Sequence, residues 1–181
     1  MIKLNKNSEW ENSKYSIFNF SNDKHNFSRI DAKTSSLCLL PFDLNPNGQF
    51  SNVYLAKYHD YLKDHEDFRC LTDSVNFNST DSQFEAIKLS LVDELGIENI
   101  DVNDVYYLGN IEHNIPFHKE YMCYAIDLTN YSEDPSGFTP KQDVDSESLH
   151  TVEKVKLSKV LTGEIDDTLV MSSVLRLLYC K

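Results

Sequence analysis

Residues 81–97 read DSQFEAIKLSLVDELGI, and they carry the clearest helical signal in the chain. Phe84, Ile87, Leu91 and Leu95 recur three or four positions apart, which marks one face of a helix as apolar. Ser82 and Glu85 have the spacing of a capping box at its start. Gly96 stands where helices commonly stop. The pattern predicts a helix over about Gln83–Leu95. At roughly 100° per residue, Ser90, Asp93 and Glu94 are expected to share a second face, away from the apolar one. An acidic pair before a helix-ending glycine is common on solvated faces, so the stretch takes its meaning from its surroundings.

Those surroundings are strand-like. Ser35–Phe42 (SSLCLLPF) is an apolar run, expected to be a buried strand that stops at Pro41. Asn45–Gly48 (NPNG) is a turn signal, and Asn52–Tyr58 alternates like the returning strand. Phe68–Thr72 predicts another short strand. Downstream, Val105–Leu108 and Tyr121–Leu128 (YMCYAIDL) predict two strands separated by a loop holding His113, Pro116 and His118. Residues 130–147, with Pro135, Gly137 and Pro140, read as a polar surface loop. Val152–Leu157 predicts a strand and Leu157–Leu161 a short helix. Asp167–Tyr179 predicts an amphipathic helix with Leu169, Val170, Val174, Leu177 and Leu178 on one side. Near the N-terminus, Tyr15–Phe20 has the character of an edge strand. Strands, helix, strands, helix is the order of an α/β (α+β) layered domain, with helices flanking a mixed sheet.

Composition narrows the function. The 181 residues suffice for one domain with an appendage. The net charge is −12. It is concentrated in residues 41–140, where five Lys/Arg face eighteen Asp/Glu, whereas residues 1–40 hold six against four. An acidic middle argues against a nucleic-acid surface, which needs cations for the phosphates. The four cysteines (38, 70, 123 and 180) form no C-x-x-C pair. Cys38 and Cys123 lie in apolar runs and are expected to be buried thiols. No apolar leader follows Met1 and no run is long enough to span a bilayer, so the expectation is a cytoplasmic protein with no membrane contact.

With these elements in place, residues 75–97 resemble the box of the Nudix family, G-x5-E-x7-R-E-U-x-E-E-x-G-U, where U is a bulky apolar residue. Asp93-Glu94-Leu95-Gly96-Ile97 matches E-E-x-G-U with one Asp for Glu. Leu91 takes the apolar position, Asp81 the first acid, and Ala86 falls where the family often has alanine. Tyr107-Leu108-Gly109, the Tyr-rich strand and the C-terminal helix also fit, so the resemblance covers roughly residues 34–180. The departures are Val75 for the leading glycine, Leu89 for the arginine and Ser90 for the first acid of the R-E pair. The resemblance implies a Nudix-like α/β/α sandwich over residues 34–181. It implies hydrolysis of a diphosphate linked to another group, by Mg²⁺ ions that carboxylates hold on one helix face. Asp81, Asp93 and Glu94 would be the catalytic carboxylates, and Asp93, Glu94 and Ser90 the metal ligands. A neutral Ser90 is a poor Mg²⁺ ligand, and Leu89 cannot hold neighbouring carboxylates as an arginine does. Weak or absent Mg²⁺ binding is expected.

Two function classes follow. One is a non-catalytic Nudix-fold module that binds a partner protein or a nucleotide. It could be part of a larger assembly such as a phage particle or virion, as the Asn/Lys-rich, glycine-poor composition suggests. The other is a weakened Mg²⁺-dependent hydrolase. Residues 1–33 form an N-terminal appendage with Trp10, Tyr15, Phe18, Phe20 and Phe27 in polar surroundings. It is expected to act as a strand or arm and to carry a protein partner or a second copy. His113 and His118, the acids Asp143, Asp145 and Glu147, and Lys88 are further polar candidates. For each of these a solvated loop or helix-face role is the plainer reading.

Overall fold

The computed structural model describes residues 5–11, 15–21, 26–32, 36–60, 64–74, 83–113, 117–131, 134–140 and 150–179. The strands among them are β1 (Asn5–Glu11), β2 (Tyr15–Ser21), β3 (Asn26–Ala32), β4 (Ser36–Leu44), β5 (Phe50–Asp60), β6 (His65–Arg69), β7 (Leu71–Ser74), β8 (Val105–His113), β9 (Phe117–Asp127) and β10 (His150–Lys156). The helices are α1 (Gln83–Leu95), between β7 and β8, and α2 (Leu157–Leu161) and α3 (Thr168–Tyr179), after β10. Helix α1 occupies the expected span. Ser82, Asp81 and Val75 lie outside the described residues, as do Asp143, Asp145 and Glu147.

The strands form one mixed sheet in the order β1-β2-β3-β9-β4-β5-β10, with β8 on β9, β6 on β5 and β7 on β4. At its centre β4 runs parallel to β9, from Ser36↔Tyr121 to Phe42↔Asp127. The β4–β5 hairpin closes on the expected turn: the Asn45 side-chain oxygen accepts from the amides of Asn47 (2.9 Å) and Gln49 (3.0 Å). Gly48 supplies the positive φ of 74°.

The β4–β5 pairing is short, running only from Phe42↔Val53 to Leu44↔Phe50. Beyond it the two strands diverge like a fork, and the chain fills the gap with itself. It returns along β5 as β6 (Ala56↔Arg69, Tyr58↔Asp67), turns at Cys70, and leaves along β4 as β7 (Leu39↔Leu71, Ser36↔Ser74). The expected single strand over Phe68–Thr72 is therefore two, split at the vertex. Strand β4 also continues past Pro41, which was expected to end it. On the fork side of β4, Pro41 falls between Leu39, the last residue paired with β7, and Phe42, the first paired with β5. A residue without an N–H costs no ladder bond in such a gap.

Side chains alternate across β4, and both faces are covered. Leu37 and Leu39 pack with Ile87, Leu91 and Leu95 of α1, together with Tyr54, Tyr124 and Ile126. Cys38, Leu40 and Phe42 pack with Val170, Val174 and Leu177 of α3 and Val160 of α2. Burying one Leu or Ile side chain is worth about 1.5–3 kcal/mol. The continuous apolar run of β4 thus demands a helical layer on each face, which makes the α/β/α sandwich. Cys38 and Cys123 are cross-strand partners in this core, and both are buried and free. Hydrogen bonding with Cys38 and burial push the Cys123 thiol well above its ordinary range. Arg176 of α3 ties the outer layer to β8 by donating to the carbonyls of Leu108 (3.0 Å) and Asn110 (2.9 Å).

The N-terminal strands form an antiparallel meander in which β2 lies between β1 and β3, so Tyr15–Phe20 is internal rather than an edge. The meander joins the main sheet through parallel pairing of β3 with β9, at Ile30↔Phe117 and Asp31↔His118. Whether the large aromatics of residues 1–33 find a covering surface is a matter of side chains outside the described set. No helix among the described residues is long and apolar enough to cross a membrane.

Helix α1 ends at Gly96, which has φ +69° and donates its amide to Val92 (3.0 Å). The segment around Phe138, expected to be part of a polar surface loop, lies against β10 through Gly137–Val152 (2.8 Å) and Val152–Phe138 (2.9 Å) backbone bonds. It brings the Phe138 ring over Gly96, so that a Cβ there would meet it at 2.7 Å. Gly96→Ala is expected to lose about 1–2 kcal/mol from the backbone conformation, and more from the ring. Urea unfolding of the variant measures the loss, and an undiminished midpoint would contradict this account.

Candidate functional site

The buried stripe of α1 is Ile87, Ser90, Leu91 and Leu95, with Glu94 half-buried beside it. These positions are spaced i, i+3, i+4, i+7 and i+8, the pattern of a single covered face. Ser90 is 1% exposed. It does not stand with Asp93 on a face away from the core, contrary to the expectation that residues 90, 93 and 94 form one ligand face. The physical reason is phase. Ser90 lies one turn from Ile87 and next to Leu91, so packing of those two residues carries it inward. Asp93, nearly a full turn after Ser90 but further round the helix from the buried stripe, is exposed. Leu89, at the arginine position, is 65% exposed. Lys88 pairs with Glu85 at 3.5 Å and lies over the Phe84 ring, consistent with a helix-surface role.

Glu94 has a partner that the sequence did not reveal. Its Oε2 is 2.9 Å from Nε2 of His150, the first residue of β10. Both side chains are mostly covered, at 17% and 21% exposure. A carboxylate and an imidazole in such contact satisfy each other and pin the C-terminal turn of α1 to the sheet.

His150 leads to a second feature through strand register. It lies opposite Tyr58 of β5, and Tyr58 lies opposite Asp67 of β6, so the three form one row across three strands. The next row is Val152, Ala56 and Arg69. Ala56 and Val152 belong to the cluster under α1, so these rows share its face of the sheet. Beyond His150 that face opens into a hollow of about 270 Å³ walled by Ala56, Tyr58, Arg69, Leu71, Thr72 and His150. The Tyr58 hydroxyl donates to Asp67 Oδ2 (3.0 Å), and the Arg69 guanidinium stacks on the Tyr58 ring at 4.2 Å. No local motif could have announced this group. It requires the pairings of β10 with β5 and of β5 with β6.

His113 ends β8 and His118 lies in β9, so both are in strands and not in the expected loop. Asn110 donates to Glu120 next to them on the hairpin.

Comparison with known proteins gives a fold and little sequence. No protein-family model matches the chain, and no curated protein matches it in sequence. Solved structures do match. A structure described as an ADP compounds hydrolase aligns with a TM-score of 0.57 at 10% identity, covering 97% of this chain and 91% of its own. A possible asymmetric diadenosine tetraphosphate (Ap4A) hydrolase from Jonesia denitrificans aligns at 0.54 and 10% identity, covering 79% and 93%. The Nudix domain of Shewanella oneidensis NrtR, complexed with ADP ribose, aligns at 0.51 and 12% identity, covering 81% and 89%.

The corrected place of Ser90 carries a prediction. Ser90→Glu puts a carboxylate into a fully covered site, and a loss on the order of 3–5 kcal/mol is expected. Leu89→Arg on the exposed side is expected to change stability by less than about 0.5 kcal/mol. Chemical denaturation of the two single variants tests this, and a stable Ser90→Glu protein would show that α1 is rotated from the orientation described. With its layers, its sheet order and these neighbours together, the chain has the Nudix fold.

Proposed function

We propose that this chain is a Nudix-fold binding module that has given up metal-dependent diphosphate hydrolysis. The observation that carries the reading is the Glu94–His150 contact at 2.9 Å. In the resemblance drawn from the sequence, Glu94 is a Mg²⁺ ligand beside Asp93 and position 90. Here the donor set does not fit a hard dication. Glu94 is already held by an imidazole, Ser90 is a neutral hydroxyl inside the core, and Asp93 faces solvent. Mg²⁺ needs charged oxygens converging at near-octahedral positions. The degenerate box, with Leu89 and Ser90 in place of arginine and acid, supports the same reading.

A nucleotide is one ligand in keeping with the fold, since the Shewanella oneidensis neighbour is complexed with ADP ribose. A protein partner is the other, as for a component of a larger assembly such as a phage particle. What favours a partner is the place of β1. It ends the sheet path, so its outer backbone edge is open to strand addition among the described residues.

Two measurements test the proposal. Incubation with ADP ribose or Ap4A and Mg²⁺ or Mn²⁺ is expected to give no turnover above background. Calorimetry is expected to show Mg²⁺ binding no tighter than about millimolar. Metal-dependent turnover that Glu94→Gln abolishes would restore the alternative, a Mg²⁺-dependent hydrolase. Separately, deletion of residues 1–33 is expected to leave a folded domain that no longer associates. Sedimentation of the truncated and full chains decides this, and an unchanged oligomeric state would remove the N-terminal segment from the association surface.

A further inference from the structure

We propose that Arg176 of α3 guards the outer edge of β8, and that without it the β8 strands of two copies of this chain pair. Such a guard concerns association and operates whether or not the chain hydrolyses a nucleotide. Strand β8 has one strand neighbour among the described residues, β9. Its other edge therefore presents backbone N–H and C=O groups that no described strand takes up. Arg176 reaches that edge from the α3 side. Its Nη1 donates to the carbonyls of Leu108 (3.0 Å) and Asn110 (2.9 Å). Carbonyls alternate along a strand, so two that stand two residues apart point the same way. One guanidinium nitrogen thus holds two neighbouring acceptors that an incoming strand needs.

Gly109 gives the guanidinium its approach. It lies between the two carbonyls, and a Cβ there would stand 2.9 Å from the Arg176 nitrogen. The register slips at the same place, where Leu108 is an extra residue against β9. A bulge of this kind bends an edge strand away from a flat partner. Bulge and guanidinium therefore defend the same stretch in the middle of β8.

The strand needs a guard because its own sequence supplies none. Val105–Ile111 (VYYLGNI) is rich in β-branched and aromatic residues and carries no charge. Uncharged runs of this kind on an open edge are where sheets join edge to edge. Strand β10, at the end of the sheet path, is defended differently. Its Val152 exchanges backbone bonds with Gly137 and Phe138, and its sequence includes Glu153, Lys154 and Lys156. Beside the bulge of β8, Tyr107 is more than half exposed, an aromatic surface that a second strand would cover. The occupant that fits is the same strand of a second copy. Two β8 strands related by a two-fold axis pair antiparallel, and each supplies the N–H groups that the other's freed carbonyls lack.

The full chain is compared with Arg176→Met, which keeps an apolar stem but has no donor. Circular dichroism checks the fold. Sedimentation velocity over a range of concentrations is expected to show the variant associating about tenfold or more tightly than the parent. That is the scale of the hydrogen bonds to a charged group that no longer have to be broken. Hydrogen exchange at the β8 amides is expected to slow as the variant associates. Arg176→Lys, which keeps a donor, is expected to stay near the parent. Asn110→Lys added to Arg176→Met is expected to restore the parent's behaviour, because pairing brings the new charges of the two copies together. Association through residues 1–33 is common to parent and variants, so a difference between them belongs to β8. A folded Arg176→Met protein that sediments as the parent does would overturn the inference. So would added association that leaves β8 exchange unchanged, or that survives Asn110→Lys. If Arg176→Met does not fold, Arg176→Gln, shorter and still polar, carries the same expectations and the same overturning outcomes.

Discussion

Strands β4 and β5 stay paired only from Phe42 to Leu44, and the backbone they leave open beyond that point needs partners of its own. Buried N–H and C=O groups cannot be left unmatched, because each costs about 1–3 kcal/mol. The chain answers by doubling back between the diverging strands as β6 and β7, with its vertex at Cys70. Three consequences follow from that one divergence. Pro41 is tolerated inside a buried strand. Arg69, Cys70 and Leu71 come to the middle of the sheet, with Cys70 packed toward α3 and Leu71 toward α1. The face beyond α1 is left with a small hollow instead of a filled core.

Helix α1 reaches this region by ordinary packing. Ile87, Leu91 and Leu95 dock on Leu37, Leu39 and Ile126, and their phase decides which polar residues go inward. Ser90 goes in because it sits between two anchors. Glu94, a turn later, is drawn to the border of the same face. A carboxylate at that border is too covered to be left without a partner. His150 reaches it because β10 lies at the end of the sheet path beside β5, and its first residue falls at the level of the helix C-terminus.

Much of the architecture was legible because it is local or periodic. The span of α1, its glycine stop, the NPNG turn and the short helix at Leu157–Leu161 are each written within a few residues. The burial of β4 was readable from the apolar run around Leu37–Leu40, and the helices flanking the sheet from the order of strands and helices. The candidate site was less legible. Ser90 was assigned to the wrong face because residues 90, 93 and 94 do lie within one sector of a bare helix, and only the docking surface fixes where that sector points. The partner of Glu94 is 56 residues away and has no motif. The row His150–Tyr58–Asp67 is set by two strand registers and by the fork, none of which a local pattern specifies. Asp81 lies outside the described residues, so its part in the resemblance stands on sequence alone.

The departures from the Nudix box make physical sense as a set. Several carboxylates converging without a cation repel one another, and each raises the cost of burying the next. On the proposed reading, losing the metal would leave Glu94 exposed to that penalty. A serine at position 90 removes one negative charge from the covered face. A leucine at position 89 stands where the box has an arginine to hold neighbouring acids, one of which, at position 90, is here a serine. His150 then supplies Glu94 with a tethered partner in place of a diffusing ion. Because the imidazole is part of the same chain, it pays no entropy of association when it binds, whereas Mg²⁺ must be drawn from solution and stripped of water. Any Mg²⁺ would also have to displace it. On the proposed reading, the contact that satisfies Glu94 is thus also the contact that would close the metal route.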